Sequence, residues 1–422
     1  MSPTELVDAV VQQYLTSGDY NGLPIYSLTR SLGLTLEELR LTLVPLIEAS
    51  QLSVNFGDGH PNPHIRALAD RPIEEQVAKL IESTNDTFVL YPTAQTLSTR
   101  VATSDYEGRP FSFRLARGAP QLEYGCFDPA VLDQYRRDPR YRFWTNDIQA
   151  TLSIGNEAYE SISFPEKHKV LIQDFGFAYS DEFSRVVAVF LRDLDRLTPE
   201  HQQVWAASEV DGRYKLHPGF WRAAIAGDWD IKASLREAFL EEIRAINEMC
   251  HDIGWQKLFR QDFSEAPREL GFLLRPTLSE FNSFVLVLDK IMSDNLSREF
   301  FPTTIPREEE NTRSDGKIVV RQRGSIAILE EWLKTSFRTR DIEPLEELIR
   351  TFKRVRKLRQ KPAHSIDDDA YDQGLFEQQR QLFLDAYAAV RTIRLVLQNH
   401  PRARRAMESM DERVQKGEIW SY

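Results

Sequence analysis

"RKLRQKPAHSIDDDAYD", residues 356–372, closes a run in which seven basic side chains fall within the twelve positions from Arg350 to Lys361, with no acid among them. His364 follows, and then Asp367, Asp368, Asp369 and Asp372 arrive within six positions. Upstream, Leu345, Leu348, Phe352 and Val355 form the apolar stripe of a helix starting near 342. Arg359 lies seven residues beyond Phe352, hence nearly on that stripe, and a guanidinium on the buried side of a helix needs a reason. Pro362 ends or kinks the helix, because it lacks an N–H and pushes its predecessor out of helical geometry. His364 therefore stands at a helix break, where it can turn toward Arg359.

The surroundings are helical. "TLSEFNSFVLVLDKIMSDNL" starts at 277, a polar loop "FPTTIPREEENTRSDGK" follows, and helices are expected near 325–337, 342–361 and 373–398. Apolar stripes at three- and four-residue spacing make a bundle the natural architecture.

An arginine and a histidine separated by four residues, "RQKPAH", inside a helical bundle resembles the motif of HEPN domains. These domains commonly form metal-independent endoribonucleases in which two bundles pair to build one site. The resemblance covers about 277–400 and implies that Arg359 and His364 are catalytic, with no metal or other cofactor. Histidine titrates near neutrality and suits transfer of the 2′-hydroxyl proton, and the arginine fork matches phosphate oxygens. Arg350, Lys353, Arg354, Arg356, Lys357 and Lys361 would then track the RNA backbone, with Gln360 an accessory polar group. Gln360 stands where the family often has Asn, Asp or His. Ile366 stands where members silenced by nucleotide transfer have tyrosine, so the chain does not resemble that toxin subgroup. Asp367, Asp368, Asp369 and Asp372 are expected to cap the last helix and partly neutralise the basic run, and the alternative reading of the same stretch is a helix end whose cations complement the C-terminal dipole, followed by a solvated histidine.

The N-terminus reads as three helices, over "TELVDAVVQQYL", "SLTRSLGL" ended by Gly33, and "TLEELRLTLVPLIEASQ", the last with Thr35 and Glu38 as a capping box. "LSVNF" and "IRAL" are expected as strands around a wing-like turn, so residues 1–70 resemble a winged helix. Those residues hold three basic side chains, Arg30, Arg40 and Arg66, against eight acids, which favours contact with a regulatory protein over DNA reading. Between 71 and 270 the pattern is mixed: "TFVLYP", "KVLIQDFGFAY" and "RVVAVFL" look like strands, Thr198 caps a helix, and "DIKASLREAFLEEIRAINEMCHDIGW" reads as a long amphipathic helix. "YRRDPRYRFW", residues 135–144, is an accessory candidate for single-stranded nucleic acid, with core aromatics as the alternative.

Other motifs fail. "SDGKIVV" lacks the earlier glycine of a phosphate loop, "DFG" at 174–176 lacks the rest of a kinase, and His60 and His64 sit in a Pro-rich turn with no third ligand. Asp230 with Lys232 is a fragment common by chance, and Cys126 and Cys250 form neither a disulfide framework nor a zinc site. The net charge of −11 disfavours indiscriminate nucleic-acid binding but allows a local basic patch.

The expectation is a multidomain α+β protein: a winged-helix-like module over 1–70, a mixed α/β segment over 71–270, a HEPN-like helical bundle over 277–400 and a tail over 401–422. With no membrane-spanning run and no secretory signal, a cytoplasmic location is expected. The favoured function is cleavage of RNA by a restrained toxin or antiviral effector. The bundle would form a homodimer through a seam of Phe376, Phe383, Val390 and Leu397 on its last helix. A dimeric adaptor or nucleotide-binding scaffold is the alternative, and a transcription regulator the third.

Overall fold

The computed structural model describes residues 2–420 apart from 34, 59, 61, 67–68, 85, 147, 162–164, 166–169, 182–183, 229–231, 264–266, 313–317 and 361–367. The fold is mixed α+β, and the chain divides into two compact units. One comprises Met1–Trp144 and Ile148–Trp229, the other Thr145–Asp147 and Asp230–Tyr422. The divisions expected at 70 and 270 are therefore not where the compact units part.

In the first unit, Ser2 and Glu5 form a capping box that starts α1 (Pro3–Thr16). Strand β1 (Leu23–Pro24) leads into α2 (Ile25–Leu32), which ends at left-handed Gly33 as expected (φ 65°). Helix α3 (Leu36–Glu48) opens on the expected box, with the Thr35 N–H donating to Glu38 Oε2 at 2.8 Å. Strand β2 (Leu52–Asn55) follows, then α4 (Ile73–Glu82) and β3 (Val89–Pro92). The three strands pair in the order β1-β3-β2.

The wing differs from expectation. Ile65 and Arg66 are not in a strand, and β2 pairs with β3 instead, which places a helix inside the connection. The run Val89–Tyr91 is wholly buried, so it outcompetes the turn-rich 57–66 stretch as the partner of β2.

The rest of this unit is built on β4 (Tyr124–Phe127), β5 (Tyr141–Thr145), β6 (Gln149–Ile154), β7 (Leu171–Tyr179), β8 (Arg185–Phe190) and β9 (Lys215–Leu216). The sheet order is β4-β8-β7-β6-β5, with β9 also on β7. The Asp174–Gly176 tripeptide lies within β7, where the glycine has a packing reason: a Cβ there would collide with the Phe220 ring. Gly176→Ala should therefore cost about 1–3 kcal/mol by overpacking, read as earlier thermal loss of the sheet.

The second unit is mostly helical. Helix α5 (Leu235–Ile253) is capped by Ser234 and stopped by left-handed Gly254 (φ 91°), so it starts five residues later than the segment 230–255 expected to be helical and ends close to where that segment does. Helices α6 (Leu278–Asp289), α7 (Ser325–Ser336), α8 (Glu343–Gln360) and α9 (Gly374–Gln398) fall where the sequence places them. Side chains of all five share one apolar core. The expected polar loop contains a strand: β10 (Glu308–Thr312) pairs antiparallel with β11 (Ile318–Gln322), whose β-branched run favours extended backbone. Residues 401–420 are not a loose tail. Ala403, Ala406, Met410 and Val414 are buried in the same core, and Ile419–Trp420 pairs in parallel with Ala233–Ser234. No helix among the described residues is long and apolar enough to cross a membrane.

Candidate functional site

Leu348, Phe352 and Val355 bury the expected stripe of α8, and Leu345 is partly buried against the core. Arg359, in the last turn, is half-buried, and the reason for its position is a pair of acids contributed by α6 and the π-helical turn that extends it. Arg359 Nη1 donates to Asp289 Oδ2 at 2.6 Å and also to Asp294. Arg356 reaches the same two groups, with Nε 3.1 Å from Asp289 Oδ1 and Nη2 2.7 Å from Asp294 Oδ1. Each arginine thus bridges both carboxylates.

The two acids are unequal. The Asp289 side chain is 0% exposed, whereas that of Asp294 is 40% exposed. A fully buried carboxylate needs countercharge, so Asp289 is the anchor of the cluster and Asp294 its outer member. Burial pushes the Asp294 carboxyl up, but hydrogen bonds from Arg359 and Arg356 outweigh it and hold the group below the usual carboxylate range. The hydrogen bonds to Asp289 and Asp294 raise the pKa of Arg359.

The rest of the basic run radiates to different neighbours. Lys353 Nζ lies 2.6 Å from Glu330 on α7, Arg354 Nη1 is 2.8 Å from Asp385 on α9, and Arg350 Nη2 is 2.8 Å from Glu347 of its own helix. Lys357 and Gln360 are exposed. The run wraps around α8 instead of forming a single face, and four of the six expected RNA-binding cations already meet carboxylates. Lys361 and His364 lie outside the described residues. Of the aspartates beyond them, Asp372 Oδ1 accepts from the N–H of Gly374 at the start of α9, as a capping residue would (2.9 Å). Asp369 instead accepts from the N–H of Ser279 in the first turn of α6 (2.8 Å).

The seam expected to pair two copies is consumed within the chain. Phe383, Val390 and Leu397 are buried in the core, Phe376 packs against it, and the Phe383 ring lies 5.4 Å from Phe239 and 5.7 Å from Phe284. A seven-residue apolar repeat fits any neighbouring helix, and here α5 and α6 supply it.

The accessory stretch is core only at Tyr135 and Tyr141, and Trp144 is exposed. Tyr135 is buried, its hydroxyl 2.6 Å from His201 Nδ1 and accepting from Trp205 Nε1 at 3.2 Å. Arg137 pairs with Asp133 at 2.7 Å, and Arg140 with Asp138. In the N-terminal segment, Arg40 donates to the Ser83 carbonyl and Arg66 to that of Gly118, so two of its three cations are turned to the chain itself. Among the described residues no group of three or more His, Cys, Asp or Glu side chains could hold a metal ion.

Sequence reasoning found the arginine and missed its acids. The available signal was Asp289 itself, a charge set directly after the apolar run "FVLVL". No family model, no curated protein and no solved structure matches this chain.

Proposed function

We propose that the helical unit is a metal-independent endoribonuclease of the HEPN type, in which Arg359 engages the scissile phosphate and His364 transfers a proton. The observation that carries this reading is the placement of Arg359. It sits in the last turn of α8, oriented by a fully buried carboxylate and still partly open to solvent, five residues before His364 in sequence. An arginine held in this way keeps its fork oriented for a phosphate at less entropic cost than a free surface side chain. In the reaction, the 2′-oxygen loses its proton and bonds to phosphorus, the bond from phosphorus to the 5′-oxygen breaks, and that oxygen takes up a proton. The acidic N-terminal segment would then serve a regulatory protein partner.

A second reading rests on a specific observation as well. Arg356 and Arg359 together balance Asp289 and Asp294, and such a closed cluster is also what a non-catalytic adaptor bundle would need to seat a buried aspartate. The test is incubation of the full chain with a mixed RNA pool, with and without EDTA. The ribonuclease reading expects cleavage in both, ending in 2′,3′-cyclic phosphates. Intact RNA leaves the adaptor.

Asp294 offers a separate measurement. As the outer acid it competes with a phosphate for both arginines, so Asp294→Asn should tighten RNA binding by up to about fivefold, the factor that roughly 1 kcal/mol represents. Because its carboxyl is held low, its ionised form contributes stability above the usual carboxylate range, and that contribution is lost as pH falls through the folded value. The variant should therefore lose less stability than wild type when melting is followed from about pH 7 to about pH 3.

A further inference from the structure

Between α7 and the start of α8 lies a cavity of about 830 Å³, large enough for a drug-sized or peptide ligand. Its floor is apolar. Leu333 and Phe337 come from the α7 side, and Ile342, Leu345 and Ile349 from the α8 side. Leu333 and Ile349 are buried, whereas Ile342 is 54% exposed, an aliphatic side chain left in solvent beside an apolar trough. Ile342, Leu345 and Ile349 stand at i, i+3 and i+7, which spans about 10 Å, or two helical turns.

The two rims carry like charge. Lys334 and Arg338 line the α7 side, and Arg350 and Lys353 the α8 side. Against these four cations the lining holds two carboxylates, Glu330 and Glu346. Lys334 and Lys353 share Glu330, at 2.8 and 2.6 Å, so one acid serves two lysines, and Glu347 outside the lining pairs with Arg350. Cations still exceed acids when Glu347 is counted. In a protein of net charge −11, this excess is local to the groove.

We propose that this groove docks an amphipathic helix of a partner protein, with an apolar stripe over Ile342, Leu345 and Phe337 and with aspartate or glutamate on both flanks. The trough is two turns long, as an i, i+3 or i+4, i+7 anchor set requires. Cations on both rims set the sign of both flanks and steer the encounter. The inference does not rest on the ribonuclease reading, since it uses neither Arg359 nor His364, although its rim shares Arg350 and Lys353 with the run expected to track RNA.

The test selects a displayed library of random peptides of about sixteen residues on the full chain and measures binding of the enriched peptides by fluorescence polarisation. Enriched sequences are expected to combine an apolar helical period with acidic flanks. Ile342→Asp should weaken them at least about tenfold, as loss of a central anchor does. Arg338→Glu combined with Arg350→Glu should reverse the preference toward lysine-flanked versions of the same peptides, and this decides the matter should Ile342→Asp disturb folding by circular dichroism. No enrichment, enrichment of basic or non-periodic peptides, or indifference to these substitutions overturns the proposal. So does oleate binding in the groove with no peptide binding, or self-association of the chain abolished by Ile342→Asp, which would make a second copy the occupant.

Discussion

His364→Ala should lower RNA cleavage by about two orders of magnitude or more, within the range that general acid–base catalysis contributes, while RNA binding survives. The substitution removes a proton carrier and changes none of the side chains that form the described ion pairs of α8. Arg359→Lys is the informative companion. It keeps the charge but loses the planar fork and the simultaneous reach to Asp289 and Asp294, so cleavage should also fall strongly. Its effect mixes catalysis with stability, because Arg359 is itself a member of the cluster. DNA of the same sequence, lacking the 2′-hydroxyl, should be bound and left intact. Equal cleavage by wild type and His364→Ala, or activity that vanishes in EDTA, would dismiss the proposed chemistry.

Arg394→Leu should destabilise the helical unit by about 3–5 kcal/mol, the cost of leaving a buried charge without its partner. The side chains of Arg394 and Glu242 are 1% and 0% exposed. Arg394 donates to both Glu242 oxygens, through Nη2 at 3.2 Å to Oε1 and through Nε to Oε2, and Nη1 reaches Gln398 at 2.7 Å. With Arg394 gone, Arg391, 3.5 Å away, is the remaining cation on the carboxylate. Burial already raises the Glu242 pKa against the pull of Arg394 and Arg391. Removing Arg394 should raise it further. A raised folded pKa confers stability below the unfolded value that is lost as pH rises through the folded one, so the variant should weaken toward neutral pH. Glu242→Leu with Arg394→Leu should recover most of the loss, because neither charge is then stranded. Hydrogen exchange in α5 and α9, which carry the pair, localises the measurement. A single Arg394→Leu as protected as wild type would show that the charge finds solvent.

The helices of the second unit were legible because each sequence signal is local. The apolar spacing of α6, α8 and α9 repeats over several turns, whereas sequence reasoning missed the Ser234 cap and expected α5 to start at 230. Strand partnership was not legible, since β2 and β3 are separated by a helix and nothing within five residues of Leu52 specifies Val89 as a neighbour. The site shows the same limit. Arg359 was singled out by its facing, yet what it touches lies on another helix about seventy residues earlier, and a chain of letters does not say which acid meets which base. The basic run read as one surface because its residues are consecutive, while 3.6 residues per turn sends Lys353 toward Glu330 and Arg354 toward Asp385.

The parallel pairing of Ile419–Trp420 with Ala233–Ser234 sets a clock on biosynthesis. Roughly 190 residues separate the end of the first unit from Trp420, which at about 5–20 residues per second is a delay of roughly 10–40 s. Until then, Ala233–Ser234 lacks its strand partner, and the core positions of Ala403, Ala406, Met410 and Val414 stay unfilled. A message cut short near codon 400 would yield a polypeptide with its helices present and its closing segment missing, so the apolar core of the second unit would become complete only when translation reaches that segment.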